Sequence, residues 1–115
     1  MTTPINVGDL IPAIVAAASG VIHKDVTAIT GFSADQARRI ETLSITLANL
    51  IAAGAFQGDP QSQADHLGIL EDLIKNFART LKGLTVITVE KVINAVVKTV
   101  WDALDRATGL ALPRP

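Results

Sequence analysis

Two histidines are the residues of this sequence best suited to metal or acid–base chemistry, because the chain contains no cysteine. Metal-binding helical bundles place a glutamate three residues before a histidine on an inward face. No glutamate precedes His23 or His66 at that spacing. We therefore expect no metal site, with His66 in the exposed first turn of a helix. His23 falls in a polar cluster with Lys24 and Asp25, which we interpret as a solvated turn.

The other reactive side chains form no catalytic pattern. No serine lies in the nucleophile elbow typical of hydrolases, and without cysteine there is no thiol nucleophile. Residues 54–58, GAFQG, lack the lysine and the spacing of a phosphate-binding loop. Acidic residues fall at predicted helix starts or beside basic residues, so no isolated carboxylate pair is available for acid–base catalysis. The sequence predicts a protein that is not an enzyme and has no catalytic residues, cofactor or metal.

Arg38 and Arg39 are the strongest candidates for contacting a phosphate. Asp35 lies three and four residues before them, however, which is the spacing of a local ion pair on a helix. The net charge is −1, with ten basic and eleven acidic residues, so electrostatics give no reason to expect a nucleic-acid partner. Aromatic residues make up 3% of the chain, and we interpret Trp101 as a core anchor rather than a base-stacking platform.

Helices must position these residues, and the clearest helical pattern runs from 86 to 107. Its polar positions recur at steps of three and four: Lys91, Asn94, Lys98, Asp102 and Asp105. Its apolar side is Val86, Val89, Ile93, Val96, Val100 and Ala103, widened by Val92, Val97, Trp101 and Leu104. The many β-branched residues would favour a strand, but the charges do not alternate with period two. Gly109 is the expected terminator.

Three further helices complete an all-α, four-helix bundle-like fold, with helices near 9–22, 33–56, 60–82 and 86–107. Ser33 and Gln36 have capping-box spacing, and either Asp59 or Ser62 caps the third helix. The third helix carries a seam with coiled-coil steps: Leu67, Leu70, Ile74, Phe77, Leu81 and Leu84. The second helix has two predicted apolar sides. The inner one is Ile40, Leu43, Leu47, Leu50, Ile51 and Gly54, and the smoother one is Ile45, Ala48, Ala52 and Ala55.

Residues 1–115 are expected to form a single helical domain, with a lead-in at 1–8 and an extended tail at 110–115. The tail reads LALPRP, which is apolar and stiffened by proline. Free chain ends are usually disordered unless something holds them. We therefore expect both end segments to dock, either on the bundle or on a neighbouring subunit.

The composition indicates a protein whose surface binds other proteins. Hydrophobic residues make up 49% of the chain and charged residues 18%, below the about 25% typical of soluble domains. We expect a structural or assembly protein that self-associates or packs into a larger particle. Bacteriophage virion components often have a similar composition. The candidate interface residues are Ile45, Ala48, Ala52, Trp101, Leu110 and Leu112.

Two alternatives remain open. The first is a membrane-active, holin-like or pore-forming protein, since residues 10–22 and 42–58 carry no charge. Both windows are shorter than the about 20 residues of a membrane span. The second is a bundle with an apolar pocket for a small hydrophobic ligand. The N-terminus lacks the basic start of a secretory signal, so we expect a cytoplasmic or virion-associated protein.

Overall fold

A computed structural model describes residues 10–115, which fold into four α-helices. These are α1 (Leu10–Ile22), α2 (Ala34–Ala52), α3 (Pro60–Arg79) and α4 (Val86–Thr108), and a short 3-10 helix (Val26–Ala28) lies between α1 and α2. Residues 10–115 are 74% helical and contain no strand, which confirms the all-α, bundle-like prediction. The predicted lead-in, residues 1–8, and the predicted helix start at Asp9 lie outside the described residues.

Side-chain caps fix where α2 and α3 begin. The Ser33 hydroxyl accepts a hydrogen bond from the Gln36 N–H at 3.1 Å, as the capping-box spacing predicts. The Gln36 side chain instead bonds across the bundle, since its Oε1 accepts from the Thr80 hydroxyl at 3.1 Å. At α3 the cap is Asp59, whose carboxylate accepts from the Ser62 N–H at 3.1 Å.

Two helices end earlier than the sequence predicted. α2 ends at Ala52 rather than residue 56, because Gly54 adopts a φ of 78° and the following residues form turns. α3 ends at Arg79 rather than residue 82, because the Lys82 N–H donates to the Thr30 carbonyl at 2.8 Å. A contact made across the bundle therefore replaces the last predicted turn of α3.

The helix ends meet in two groups, which gives the bundle two ends: Gln36 at the start of α2 bonds Thr80 after α3, and Pro60 at the start of α3 lines a cleft with Trp101 of α4. The loop end comprises residues 23–32 and 80–85, and the tail end comprises residues 53–59 and 109–115. The Lys82 hydrogen bond joins the two segments of the loop end. α4 contacts α1, α2 and α3, so the core is built around α4.

The core face of α4 is rotated relative to the prediction. Val86, placed on the predicted inner side, is 74% exposed, and Val89 is half-buried. The buried residues of α4 are Val92, Val96, Val100, Trp101 and Leu104. Because α4 packs against three helices, it buries a wider stripe than a helix with one partner, and its first turn extends beyond their cover. The α3 seam agrees with the prediction: Leu67, Leu70, Ile74, Phe77 and Leu81 are buried, and Leu84 is half-buried.

α2 buries one merged face instead of two separate apolar sides. The buried residues come from both predicted sides and include one polar residue: Ala37, Ile40, Ser44, Leu47, Ala48 and Ile51. The Ser44 hydroxyl donates to the Ile40 carbonyl at 2.6 Å, so its burial leaves no unpaired group. Gly54 and Ala55 are exposed in the turn after α2, because the helix ends before the predicted last turn.

Candidate interaction surfaces

The histidines lie apart from one another and in different surroundings. His66 is half-buried, which corrects the expectation of an exposed first-turn residue. Its ring lies 5.0 Å from the Phe56 ring, and Nδ1 lies 2.7 Å from the Ser62 carbonyl. His23 is exposed, with a φ of 58°. Within residues 10–115, no group of three His, Asp or Glu side chains is placed to hold a metal ion.

The polar cluster around Asp25 has a local structural role. Its carboxylate caps the 3-10 helix and accepts from the Thr27 hydroxyl at 2.7 Å and from the Thr27 N–H at 3.0 Å. Both hydrogen bonds lower the pKa of Asp25 below its ordinary value. The hydrogen bond from the Thr27 hydroxyl is the larger cause.

The Arg38 side chain forms the predicted local ion pair with Asp35, at 3.4 Å. Both side chains are largely exposed, so the pair is worth little to stability. They border an open groove of about 500 Å³ between α2 and α3, whose floor contains Leu43 and Leu73.

Only part of the predicted interface lies at the surface of the chain. Ala48, Trp101 and Leu112 are buried among the chain's own residues, at 0%, 1% and 6% exposure. These three positions are therefore packed inside one chain, because α2 turns Ala48 and α4 turns Trp101 toward the shared core, and the returning tail buries Leu112. Ile45 is half-buried, Ala52 is exposed, and Leu110 is 52% exposed.

The C-terminal tail lies on its own bundle and is held by three side chains of α4. We name Trp101, Asp102 and Asp105 the tail clamp. The Trp101 indole N–H donates to the Pro113 carbonyl at 2.9 Å. One terminal guanidinium nitrogen of Arg114 donates to Asp102 Oδ1 at 2.8 Å and to Asp105 Oδ2 at 2.7 Å.

A further hydrogen bond holds Leu112, the tail residue whose side chain is buried. The Leu112 N–H donates to Asp105 Oδ1 at 2.9 Å, while the Leu112 side chain is buried in the core. Between the end of α4 and Leu112 the chain turns back through Gly109, whose φ is 72° and which the sequence predicted as terminator. A cleft of about 280 Å³ lies between the tail and α3, lined by Leu67, Gly68 and others.

Neighbouring cations lower the pKa of Asp102 below its ordinary value. The largest cause is the hydrogen bond from Lys98, whose Nζ lies 3.0 Å from Asp102 Oδ2. Arg114 acts in the same direction, and desolvation of the carboxylate opposes both. The carboxylate therefore stays ionised, and able to hold Arg114, at a lower pH than a free aspartate would.

A second surface lies at the loop end, where α4 begins. We name Leu84, Val86, Ile87, Val89 and Ile93 the end patch. Val86 and Ile87 are 74% and 66% exposed, and the other three are half-buried. A cleft of about 310 Å³ runs along the patch and is also lined by residues of opposite charge, Arg79 and Glu90.

Sequence reasoning missed the roles of both surfaces. The prediction placed Val86 on the inner side of α4 and placed Asp102 and Asp105 on its solvated side. One signal for the clamp was present: two aspartates three residues apart on one helix are followed, after a glycine, by the arginine of the tail. The exposure of the end patch had no such signal, because it depends on where α1 and α3 stop covering α4.

Comparison with known proteins gives no relative from which a function could be transferred. No protein-family model, no curated protein and no solved structure matches the chain. Among residues 10–115, none of the helices combines the length and the apolar character required to cross a lipid bilayer.

Proposed function

We propose that this chain is a non-enzymatic assembly protein that self-associates through the end patch, as a subunit of a larger particle such as a virion. The observation that carries the proposal is the exposure of Val86 and Ile87, adjacent large apolar residues at the start of the longest helix. Contiguous exposed apolar surface of this kind is typical of protein–protein contacts.

Burial of the end patch against a second copy supplies a driving force. Fully burying a valine or isoleucine side chain is worth about 1.5–3 kcal/mol. Val86 and Ile87 leave most of that stabilisation unused in the single chain. Leu84, Val89 and Ile93 extend the patch beside them, and the cleft gives a partner side chain a place to insert.

The charges around the patch fit pairing with an identical copy. Arg79 and Glu90 both border the cleft, and neither forms an ion pair with another of the residues 10–115. A two-fold axis through the patch would place Arg79 of each copy near Glu90 of the other, and such opposition favours the symmetric arrangement.

The interior holds its polar side chains in hydrogen bonds. Every buried side-chain nitrogen or oxygen among residues 10–115 has a hydrogen-bond partner. The clefts described above are open grooves at the surface, formed by helix edges and the tail.

Sedimentation velocity at micromolar concentration tests the proposal. We expect the wild-type chain to associate, and Val86→Asp combined with Ile87→Asp to lower its average mass at every concentration. Ile69→Asp is the matched control, because Ile69 is also an exposed isoleucine, at 53%, but lies on α3. A wild-type monomer at all concentrations, or dissociation by Ile69→Asp and not by the double variant, would overturn the proposal.

A further inference from the structure

We propose that two copies of this chain exchange their tails, so that residues 110–115 of one copy dock on the tail clamp of the other. This inference rests on the proposed self-association and names a second route for it, at the opposite end of the bundle. The occupant of the site is already visible, because the chain's own tail fills it.

The bundle contacts three successive residues of the tail, as a peptide-binding site contacts an extended peptide. Leu112 enters the core, the Pro113 carbonyl accepts from the Trp101 indole, and Arg114 reaches two carboxylates. None of these contacts depends on the tail belonging to the same chain. A second copy's tail would present the same residues and make the same hydrogen bonds and ion pairs.

The link between α4 and the docked residues favours exchange. It consists of Gly109, Leu110 and Ala111, all of them exposed. Short hinge segments of this kind invite swapping between identical chains. A three-residue link spans at most about 10 Å, so exchange must bring the C-terminal ends of both α4 helices together. That approach would cover Leu110, an apolar residue that is 52% exposed in the single chain.

Charge complementarity provides a direct test with two full-length variants. The first carries Arg114→Glu, which places a carboxylate opposite Asp102 and Asp105. The second carries Asp102→Lys and Asp105→Lys, which places cations opposite its own Arg114. Both also carry Val86→Asp and Ile87→Asp, so that the end patch does not contribute. Neither variant can dock its own tail, but each offers the other a complementary tail and clamp.

Native mass spectrometry of the 1:1 mixture is the readout. We expect about tenfold more heterodimer in the mixture than dimer in either variant alone. The control carries Arg114→Ala in both variants, in place of Arg114→Glu in the first and added to the second, which removes both complementary tails and should abolish the gain. Circular dichroism establishes that each variant is helical before mixing. Heterodimer at the level of this control would overturn tail exchange.

A disulfide test covers the case in which the charge variants fail to fold. Ala64→Cys and Pro115→Cys introduce cysteines at two residues that line the same cleft, in a chain that has none of its own. Carried on separate chains also bearing Val86→Asp and Ile87→Asp, residues 64 and 115 share one cleft only when the tail of one chain docks on the other. We expect that disulfide-linked heterodimer after oxidation, identified by peptide mass mapping, and its absence would overturn the inference.

The two proposals fail in distinguishable ways. If the wild-type chain associates and the Val86→Asp, Ile87→Asp double variant lowers its average mass, but neither exchange experiment gives a heterodimer, the end patch stands and tail exchange falls. If the wild-type chain remains monomeric and neither exchange experiment gives a heterodimer, both fall.

Discussion

The two ends of the bundle are held together by different kinds of contact. At the loop end, backbone meets backbone: the Lys82 N–H bonds the Thr30 carbonyl, and Gly31 lies so close to the Thr80 carbonyl that a β-carbon would be 1.9 Å from that oxygen. Phe32 adds an edge-to-face contact with the core. Such contacts depend on shape, and neither salt nor pH weakens them directly.

At the tail end, side chains hold a segment that has no helix of its own. The ion pairs of Arg114 lie at the surface, where its side chain is 44% exposed, and salt and acid can both weaken them. One small bundle can therefore combine a fixed end with an end that salt or acid is expected to release. The fixed end presents exposed apolar residues, and the releasable end covers its anchor, Trp101.

The largest expected effect is at the fixed end. Gly31→Ala should lower the free energy of unfolding by about 3 kcal/mol or more, because the methyl group meets the Thr80 carbonyl and Gly31 has a φ of 93°. Gly83→Ala is the matched control: Gly83 also has a positive φ, 79°, but open space around its β-position. We expect about 1 kcal/mol there. Urea unfolding followed by circular dichroism measures both, and equal losses would refute the close-contact explanation.

The second largest effect tests the anchor of the releasable end. Trp101→Phe should cost about 2 kcal/mol, since it leaves space in the core and removes the indole donor that holds the Pro113 carbonyl. Thermal unfolding measures the loss, and limited carboxypeptidase digestion should release Arg114 faster than from the wild-type chain. Unchanged digestion would mean that the hydrogen bond does not hold the tail.

Two threonines, one at each end of the bundle, test a smaller effect on the free energy of unfolding. The Thr80 hydroxyl bonds Gln36 across the bundle, whereas the Thr108 hydroxyl bonds the Leu104 carbonyl one turn earlier in its own helix. Thr80→Val should therefore cost about 1 kcal/mol and Thr108→Val less. Urea unfolding of the two variants side by side gives the difference, and the reverse order would show that the long-range hydrogen bond contributes little.

The smallest effect on global stability concerns Arg114. Arg114→Ala should stay within about 4 °C of the wild-type unfolding midpoint at neutral pH, because exposed ion pairs contribute little. Its effect on tail release should be clear. Fluorescence of Trp101, the only tryptophan, should change with rising salt in the wild-type chain and stay independent of salt in the variant, because the variant has no Arg114 ion pairs to screen. Identical salt profiles would contradict a role for the ion pairs.

Acid should release the tail in the wild-type chain. The pKa of Asp102 is lower in the folded state than its ordinary value of 3.8, with Lys98 as the largest cause. Arg114 supplies part of that lowering, and only this part stabilises docking; it is present above the ordinary value and is lost as the pH falls through the lowered one. Trp101 fluorescence should therefore be constant down to about pH 4 and change below it. A change centred near pH 6 would point to another group.

The sequence alone predicted the helices well because their signals are local. Ser33 and Gly109 act within one turn of their own positions, and the α3 seam repeats at helical spacing. The early end of α2 was missed because Gly54 fits the apolar period as well as it fits a terminator. Periodicity does not distinguish a helix that continues from one that has just stopped.

Both candidate surfaces depend on long-range packing, which explains why sequence reasoning did not locate them. Periodicity places Val86 on the apolar side of α4, but its exposure depends on how far the neighbouring helices extend. The clamp requires the chain to reverse at Gly109, so that Arg114 returns over Asp102. Trp101 was both a predicted core anchor and an interface candidate, and burial of its ring agrees with the first.

The end patch and the tail clamp lie at opposite ends of the bundle, so a chain that used both proposed contacts would bind two neighbouring copies. Copies joined alternately through one self-complementary contact and then the other form an open rod, or, where the two axes converge, a closed ring with an even number of members. An open rod has no intrinsic length, so its mean length should fall steeply on dilution. A ring would instead dissociate without passing through longer species.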